Sequence, residues 1–399
     1  MLGSWLNILP RKLSRITTSG QYLPEVDGLR FMAIMPVLIQ HLSERVQRYS
    51  TVRWATPLAA DPVVFWASRG TIGVFIFFAI SGFILGLPFA RYYLQDGLKV
   101  GLAAYFWRRL TRLEPPYIIW MVVFFLVLLA TGGPALGELF PHLAASLFYV
   151  HNLVYHDYSV INPVAWSLEV EIQFYLLAPV LAALFFRWQN PWLRRGLLVG
   201  GIVGTLVAQQ VFGWVALPYK LTLLWQLQYF LVGFLVVDLY LTEWQGIRTE
   251  RGGVGWDLGA LLALVLMGLS WSADLPRRLV FATALLVFLV AGFRGRYFTT
   301  FLRRPWVAAI GGMCYTIYLI HLPLLEGLSR WSTRLHVTGH FSINLLLQML
   351  LLFPLVLLVA AVGFLALEKP CMDKYWPQQL RNWWLGLFAG KPVYRKIKE

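Results

Sequence analysis

Stretches of about 20 mostly apolar residues recur along this whole chain, and that recurrence limits its fold more than any other feature. In hydrocarbon every backbone N–H and C=O needs a partner within the protein, so such stretches must be helices. Ten spans are expected, at about 28–47, 71–90, 116–133, 164–186, 196–213, 220–241, 256–272, 277–293, 306–327 and 344–367. A composition 58% hydrophobic and only 13% charged, with 18 Trp, lies far from the soluble norm and agrees. The expected fold class is all-α, a polytopic membrane protein.

Basic residues favour cytoplasmic loops, and here they orient the chain. With the N-terminus inside, the cytoplasmic segments hold Arg11, Lys12 and Arg15, then Arg91, Lys99, Arg108, Arg109 and Arg112, then Arg187, Arg194 and Arg195. Arg294, Arg296, Arg303 and Arg304 follow, and the stretch from Lys369 to Lys398 is basic too. The opposite side carries only a scatter such as Arg45, Arg48, Arg277 and Arg330. Both termini are therefore expected in the cytoplasm. Topology and attraction to anionic membrane lipid account for the net charge of +15, without nucleic acid as a partner.

Residues 134–163 do not fit the span count, because their apolar core of about 15 residues is short for a crossing. They are expected to form a re-entrant or interfacial segment on the outer side. Its His142, His151 and His156 are either the lining of an outer acceptor mouth or plain surface histidines. The first 20 residues show no apolar core followed by a cleavage site, so no removable signal peptide is expected. The two cysteines, Cys314 and Cys371, are not expected to pair, and no Cys/His cluster has zinc spacing, so no metal is expected. The expected organisation is a basic cytoplasmic segment (1–21), one membrane domain (22–370) and a basic cytoplasmic tail (371–399).

Polar residues inside the spans carry the functional signal, since an ionisable group in a membrane is costly and is kept for a purpose. Arg30 and His41 are eleven residues apart, which on a helix is about 1100°, so they share a face about 16 Å apart along the axis. WSLEVEIQFYLLAP (166–179) places Glu169 and Glu171 at a span's outer start, on different faces. GGMCYTIYLIHLPLL (311–325) puts Cys314, Tyr318 and His321 on one stripe, with Pro323 freeing a backbone acceptor nearby. In AYFWRRLTRLEPPY (104–117), Arg109 and Arg112 share a helical face suited to gripping phosphate, or to anchoring in lipid headgroups. Pro115 and Pro116 are expected to end that stretch.

LPEVDGLRFMAIMPVLIQHL (23–42), GVFIFFAISGFIL (73–85), RRLTRLEPPY (108–117), WSLEVEIQFYLLAP (166–179) and GGMCYTIYLIHLP (311–323) follow one another in an order that resembles the acyltransferase 3 family of integral membrane acyltransferases. The resemblance runs from about residue 22 to about residue 370. It implies transfer of an acyl group, usually acetyl, from cytoplasmic acyl-CoA to a hydroxyl of a glycan or similar acceptor, often across a bacterial inner membrane. The family pattern carries over to Arg30, His41, Arg109, Arg112, Glu171, Tyr318 and His321. Glu169 and Phe75 depart from it, the latter standing where many relatives are polar or acidic.

On that implication His41 is the base for the acceptor hydroxyl, and Glu171 orients either His41 or the acceptor. Arg30, Arg109 and Arg112 hold the phosphates of the co-substrate acyl-CoA. Tyr318 and His321 are candidate oxyanion donors or acceptor contacts. Transfer is direct, or passes through an acyl-enzyme on His41 or Ser81. The competing reading is a polytopic transporter or exporter of a saccharide or small molecule, which often shows internal repeats, and none is evident. A membrane acyltransferase of another type, dependent on His321 and indifferent to Arg30 and His41, is the third.

Overall fold

The computed structural model describes residues 9–16, 22–244, 252–373 and 375–381; among these the regular structure is helical, with no strand beyond an isolated bridge. Much of the basic segments expected at 1–21 and 371–399 lies outside the described residues. In chain order the helices are α1 (Pro24–Tyr49), α2 (Pro62–Ala67), α3 (Ile72–Leu94), α4 (Leu102–Ala130), α5 (Leu136–Leu147), α6 (His151–Tyr155), α7 (Trp166–Phe186) and α8 (Pro191–Val211). They continue with α9 (Leu223–Thr242), α10 (Val254–Leu269), α11 (Leu275–Arg294), α12 (Tyr297–Leu302), α13 (Pro305–Gly312), α14 (Cys314–Ser332) and α15 (Phe341–Gly363), which runs into a π-helical turn at Phe364–Glu368.

Six helical stretches among the described residues are long and apolar enough to cross a membrane, and α13 with α14, bent by 68° at their break, make up to seven. All ten expected spans fall on helices, but the polar α1 and α8 and the 16-residue α10 do not meet this measure. Length and apolarity alone thus do not reach the expected count of ten. In the 134–163 segment α5 has 12 residues and α6 has 5, both too short to cross. The segment is tied onto neighbouring helices: Tyr117 donates to the Ser146 carbonyl at 2.9 Å, and the Asn152 side chain donates to the Trp166 carbonyl at 3.0 Å.

Helix α1 is a wall between two apolar cores. Val26, Leu29, Ala33 and Val37, spaced by three and four, face one core with α3, α7, α9 and α11. Ile34, Leu38, Leu42 and Val46 face the other, with α4, α14 and α15. Within the first core α3 and α9 cross backbone to backbone. A Cβ on Gly82 would stand 2.2 Å from the Phe230 carbonyl oxygen, and one on Gly233 would stand 2.1 Å from that of Ala79. Asp238 of α9, fully buried, pairs with Arg194 and, at 2.8 Å, with Arg195, which holds α8 in place.

Prolines inside helices leave carbonyls four residues back without their helical N–H. Three of these carbonyls take a side chain from elsewhere. Pro115 releases Thr111, whose carbonyl accepts the Trp376 indole N–H at 3.0 Å; Pro179 releases Tyr175, which accepts the Tyr105 hydroxyl at 3.3 Å; Pro323 releases Leu319, which accepts the Asn162 amide at 2.9 Å. The first case corrects an expectation: α4 does not end at Pro115 and Pro116 but runs through both to Ala130. Trp376 supplies the bond that Pro115 removes, and the Tyr315 hydroxyl, which donates to the nearby Leu113 carbonyl at 2.9 Å, ties the same turn to α14.

The glycine crossing predicts opposite outcomes for two equal substitutions. Gly200→Ala, where a Cβ meets nothing within 4 Å, should stabilise α8 by about 1 kcal/mol through helix propensity. Gly82→Ala should instead cost about 1–3 kcal/mol through overpacking. Thermal unfolding in detergent reads both, and shifts of the same sign would refute the backbone crossing.

Candidate active site

Where the two cores meet, α1, α3, α4, α7, α14 and the π-helical turn enclose a cavity of about 460 Å³. Its lining is cationic: Arg15, Arg30, Arg91, Arg108, Arg109 and Arg112 stand against Asp27, Glu171, Glu368 and Asp373. The arginines expected to grip phosphate are thus brought together, but each is held differently. Arg30 donates to Asp27 at 2.6 Å, and Asp27 also takes Arg15 at 3.0 Å, so one carboxylate serves two guanidinium groups. Arg109 donates to the Tyr105 carbonyl at 3.1 Å and lies 3.8 Å over the Tyr105 ring. Arg112 makes no hydrogen bond or ion pair among the described residues, and its buried Nε has no partner. That leaves Arg112 the arginine most available to a bound anion.

The cavity also holds a hydroxyl-rich carboxylate. Ser81 donates to Glu171 Oε1 at 2.5 Å, and Tyr175 donates to the same oxygen at 2.6 Å. With its proton given to Glu171, Ser81 is held as a ligand of the carboxylate. Tyr318 reaches the cavity too, its hydroxyl 2.8 Å from Ser167 Oγ. Glu368, absent from the expected site, lines the same space because one extra residue in the π-helical turn rotates the chain behind it by about 100°. Its Oε2 accepts the Thr316 N–H at 3.2 Å and hydroxyl at 2.7 Å, capping α14 where the helix pair breaks.

His41 and His321 are not among the residues lining this cavity. Their rings pack against each other, 5.3 Å between centroids, and His321 stands 6.2 Å from the Tyr318 ring. His41 Nδ1 lies 3.1 Å from Glu44 Oε2. A carboxylate at that contact accepts, so Nδ1 carries the proton and Nε2 keeps a free lone pair. His321 Nδ1 faces the carbonyls of Ile317 at 3.1 Å and Tyr318 at 2.8 Å, which only accept. Neutral His321 therefore presents an unprotonated, unpartnered Nε2, which in that form accepts.

Of the two roles expected of Glu171, orienting His41 or the acceptor, the contact with His41 is not present. Glu171 is engaged by Ser81 and Tyr175, whereas Glu44, one turn beyond His41, is the carboxylate on the ring. Gln40 donates to Glu44 at 2.9 Å and Arg45 at 3.0 Å, so Glu44 is itself held. The signal was present in the sequence as His41 and Glu44 at helical spacing.

Other expected residues lie apart. Phe75 is 1% exposed and stacks on Tyr229 and Trp271, away from the cavity. Glu169 is buried and accepts the Asn152 N–H at 2.8 Å, bracing the 134–163 segment. His142 and His151 touch at 2.8 Å beside Tyr155, while His156 is exposed. Burial, and after it His142, holds the His151 imidazole below its usual range.

The family model for an acyltransferase domain, acyltransferase 3, matches residues 23–365. The chain belongs to this family. Among relatives of this acyltransferase 3 chain, the peptidoglycan O-acetyltransferase OatA of Listeria monocytogenes is 31% identical over 195 residues, 46% of this chain and 28% of the relative. The O-acetyltransferase OatA of Staphylococcus aureus is 24% identical over 409 residues, 89% of this chain and 58% of the relative. The matches thus span little more than half of these relatives, or less. No solved structure matches the chain.

Two outcomes follow for this family member. Glu44→Ala should lower kcat by about ten- to a hundredfold with little change in the donor KM, because the ring loses its orienting partner; an unchanged kcat would remove Glu44 from the site. For His151, whose native value is depressed, stability should be full above the unfolded pKa of about 6.5 and fall as pH drops through it. Hydrogen-exchange protection across 136–155, taken relative to the intrinsic rate at each pH, should fall on acidification, and His151→Asn should flatten that response.

Proposed function

We propose that the chain is an integral membrane O-acetyltransferase that moves an acetyl group from acyl-CoA to a hydroxyl of an envelope glycan, with peptidoglycan, named for the Listeria relative, the first candidate acceptor. The observation that carries this reading is the pair of sites on α1. Arg30 lines the cationic cavity towards one end, and His41, its Nδ1 held by Glu44, stands towards the other.

Arg109 and Arg112, with Arg30, hold the phosphates of the donor, and Glu171 with its Ser81 and Tyr175 partners meets the donor farther in. The acyl end passes Tyr318 and His321 to reach His41. There the acceptor hydroxyl gives its proton to His41 Nε2 as its oxygen bonds to the acyl carbon. The carbon–sulfur bond breaks, and the departing thiolate takes the proton back from the imidazolium. Glu44 supports the positive ring while it lasts.

The same reading places both termini in the cytoplasm of a bacterial inner membrane, with ten crossings that include the polar α1 and α8 and the short α10. Residues 22–370 form the membrane unit, flanked by basic segments. The excess of arginine and lysine on the loops at the cavity's end of the bundle supports that orientation.

The test is turnover of labelled acetyl-CoA by the purified full chain in liposomes, with soluble peptidoglycan fragments as acceptor. His41→Ala should lower kcat by about a hundredfold to ten-thousandfold. Full turnover by a folded His41→Ala protein would overturn the base assignment. Glycan uptake into vesicles without acyl-CoA would identify a transporter instead.

A further inference from the structure

Arg45, Arg48 and Arg330 fall on the side of the membrane where basic residues are not expected, and topology gives no reason for them. The three converge in space. Arg45 Nε lies 2.9 Å and Arg48 3.8 Å from Glu326 Oε2, and Arg330 lies 3.3 Å from Oε1, which also takes the Tyr49 hydroxyl. The cluster sits where the last turns of α1 and α14 meet, far along α1 from the cavity.

Two simple accounts fall short. Helix C-termini attract cations, and each is worth about half a negative charge, so two of them with Glu44 and Glu326 balance three arginines. Arg53 and Arg334, exposed on the loops after the same two helices, exceed that balance. A purely structural ion pair would also bury its groups, yet the Arg48 and Arg330 side chains are 62% and 61% exposed around a carboxylate that is 27% exposed. These guanidinium heads are gathered but not used up.

The cluster is joined to the reactive imidazole. Arg45 bridges Glu326 and Glu44 at 2.9 and 3.0 Å, and Glu44 holds His41 at 3.1 Å. We propose that Arg48 and Arg330, backed by Arg45 and Glu326, form the acceptor subsite and select an anionic saccharide, one carrying a carboxylate or phosphate near the hydroxyl to be acylated. The arginines take the acid group by forked, charge-assisted bonds, and the half-exposed Glu44 and Glu326 accept sugar hydroxyls. A lipid phosphate fits less well, because it offers the two carboxylates few hydroxyls. This assignment rests on the acetyltransferase reading, and it names the acceptor class which that reading leaves open.

The test compares one glucuronic-acid-containing oligosaccharide with its methyl ester, which keeps every hydroxyl and removes the charge. Binding to the full chain in detergent, measured without acyl donor, should favour the free acid by about tenfold or more, and the preference should shrink between low and high salt. Arg48→Gln with Arg330→Gln, both at exposed positions, should abolish the preference by lowering binding of the free acid to the level of the ester. Equal wild-type binding of acid and ester overturns the proposal, as does a double variant that keeps the preference. A defect seen only in liposomes containing anionic phosphatidylglycerol, and not in neutral ones, assigns the arginines to lipid and also overturns it. Because binding is read without turnover, failure of the acetyltransferase reading shows separately, as no acetyl transfer by the wild type.

Discussion

A backbone carbonyl without a partner is costly inside a membrane, and this structure is arranged around carbonyls that proline has set free. Thr111, Tyr175 and Leu319 each lose a helical N–H to a proline four residues on, and each recovers a bond from a side chain far away in sequence. Tyr105 and Tyr175 both line the cavity, and Leu319 adjoins Tyr318, which lines it too. The prolines therefore act as anchor points: they create acceptors that only the correct neighbours can fill, and the cavity walls are among those neighbours.

With the walls anchored, α1 becomes the axis of the site. It faces a separate apolar core on either side, so its polar residues are left at the edges of the two stripes, near each end. Near its start Arg30 and Asp27 enter the cationic cavity; farther on His41 meets Glu44 and His321. The proposed chemistry needs this division, since a phosphate-rich donor and a glycan acceptor approach from opposite faces. The broken pair α13 and α14 serves the same end, because the break leaves the first N–H groups of α14 open to the Glu368 carboxylate beside the cavity.

Much of this was legible in the sequence, and the reasons for what was not are physical. Helical periodicity gave the register of Arg30 with His41, and the chemistry of arginine pairs gave Arg109 and Arg112. The continuation of α4 through Pro115 and Pro116 was hidden because the freed Thr111 carbonyl is taken by Trp376, 265 positions away along the chain. Glu44 is only three residues from His41, but it stands near the polar end of α1, where an acid is common and carries no signal of its own. Glu368 was hidden by a π-helical turn, which no 3.6-residue pattern anticipates. The ten-span count rests on weakly apolar helices, where hydropathy loses its force.

The bare face of Gly82 has a consequence for the residue before it. Since α3 meets α9 there with no side chain between, the main chain at this height has no freedom to slide, and Ser81 is carried on it like a peg on a bolted frame. The hydroxyl is therefore registered against Glu171 by the skeleton, with no soft packing to absorb an error. The Ser81–Gly82–Phe83 triplet is a mounting: the glycine bolts, the serine points, and the phenylalanine fills the space behind.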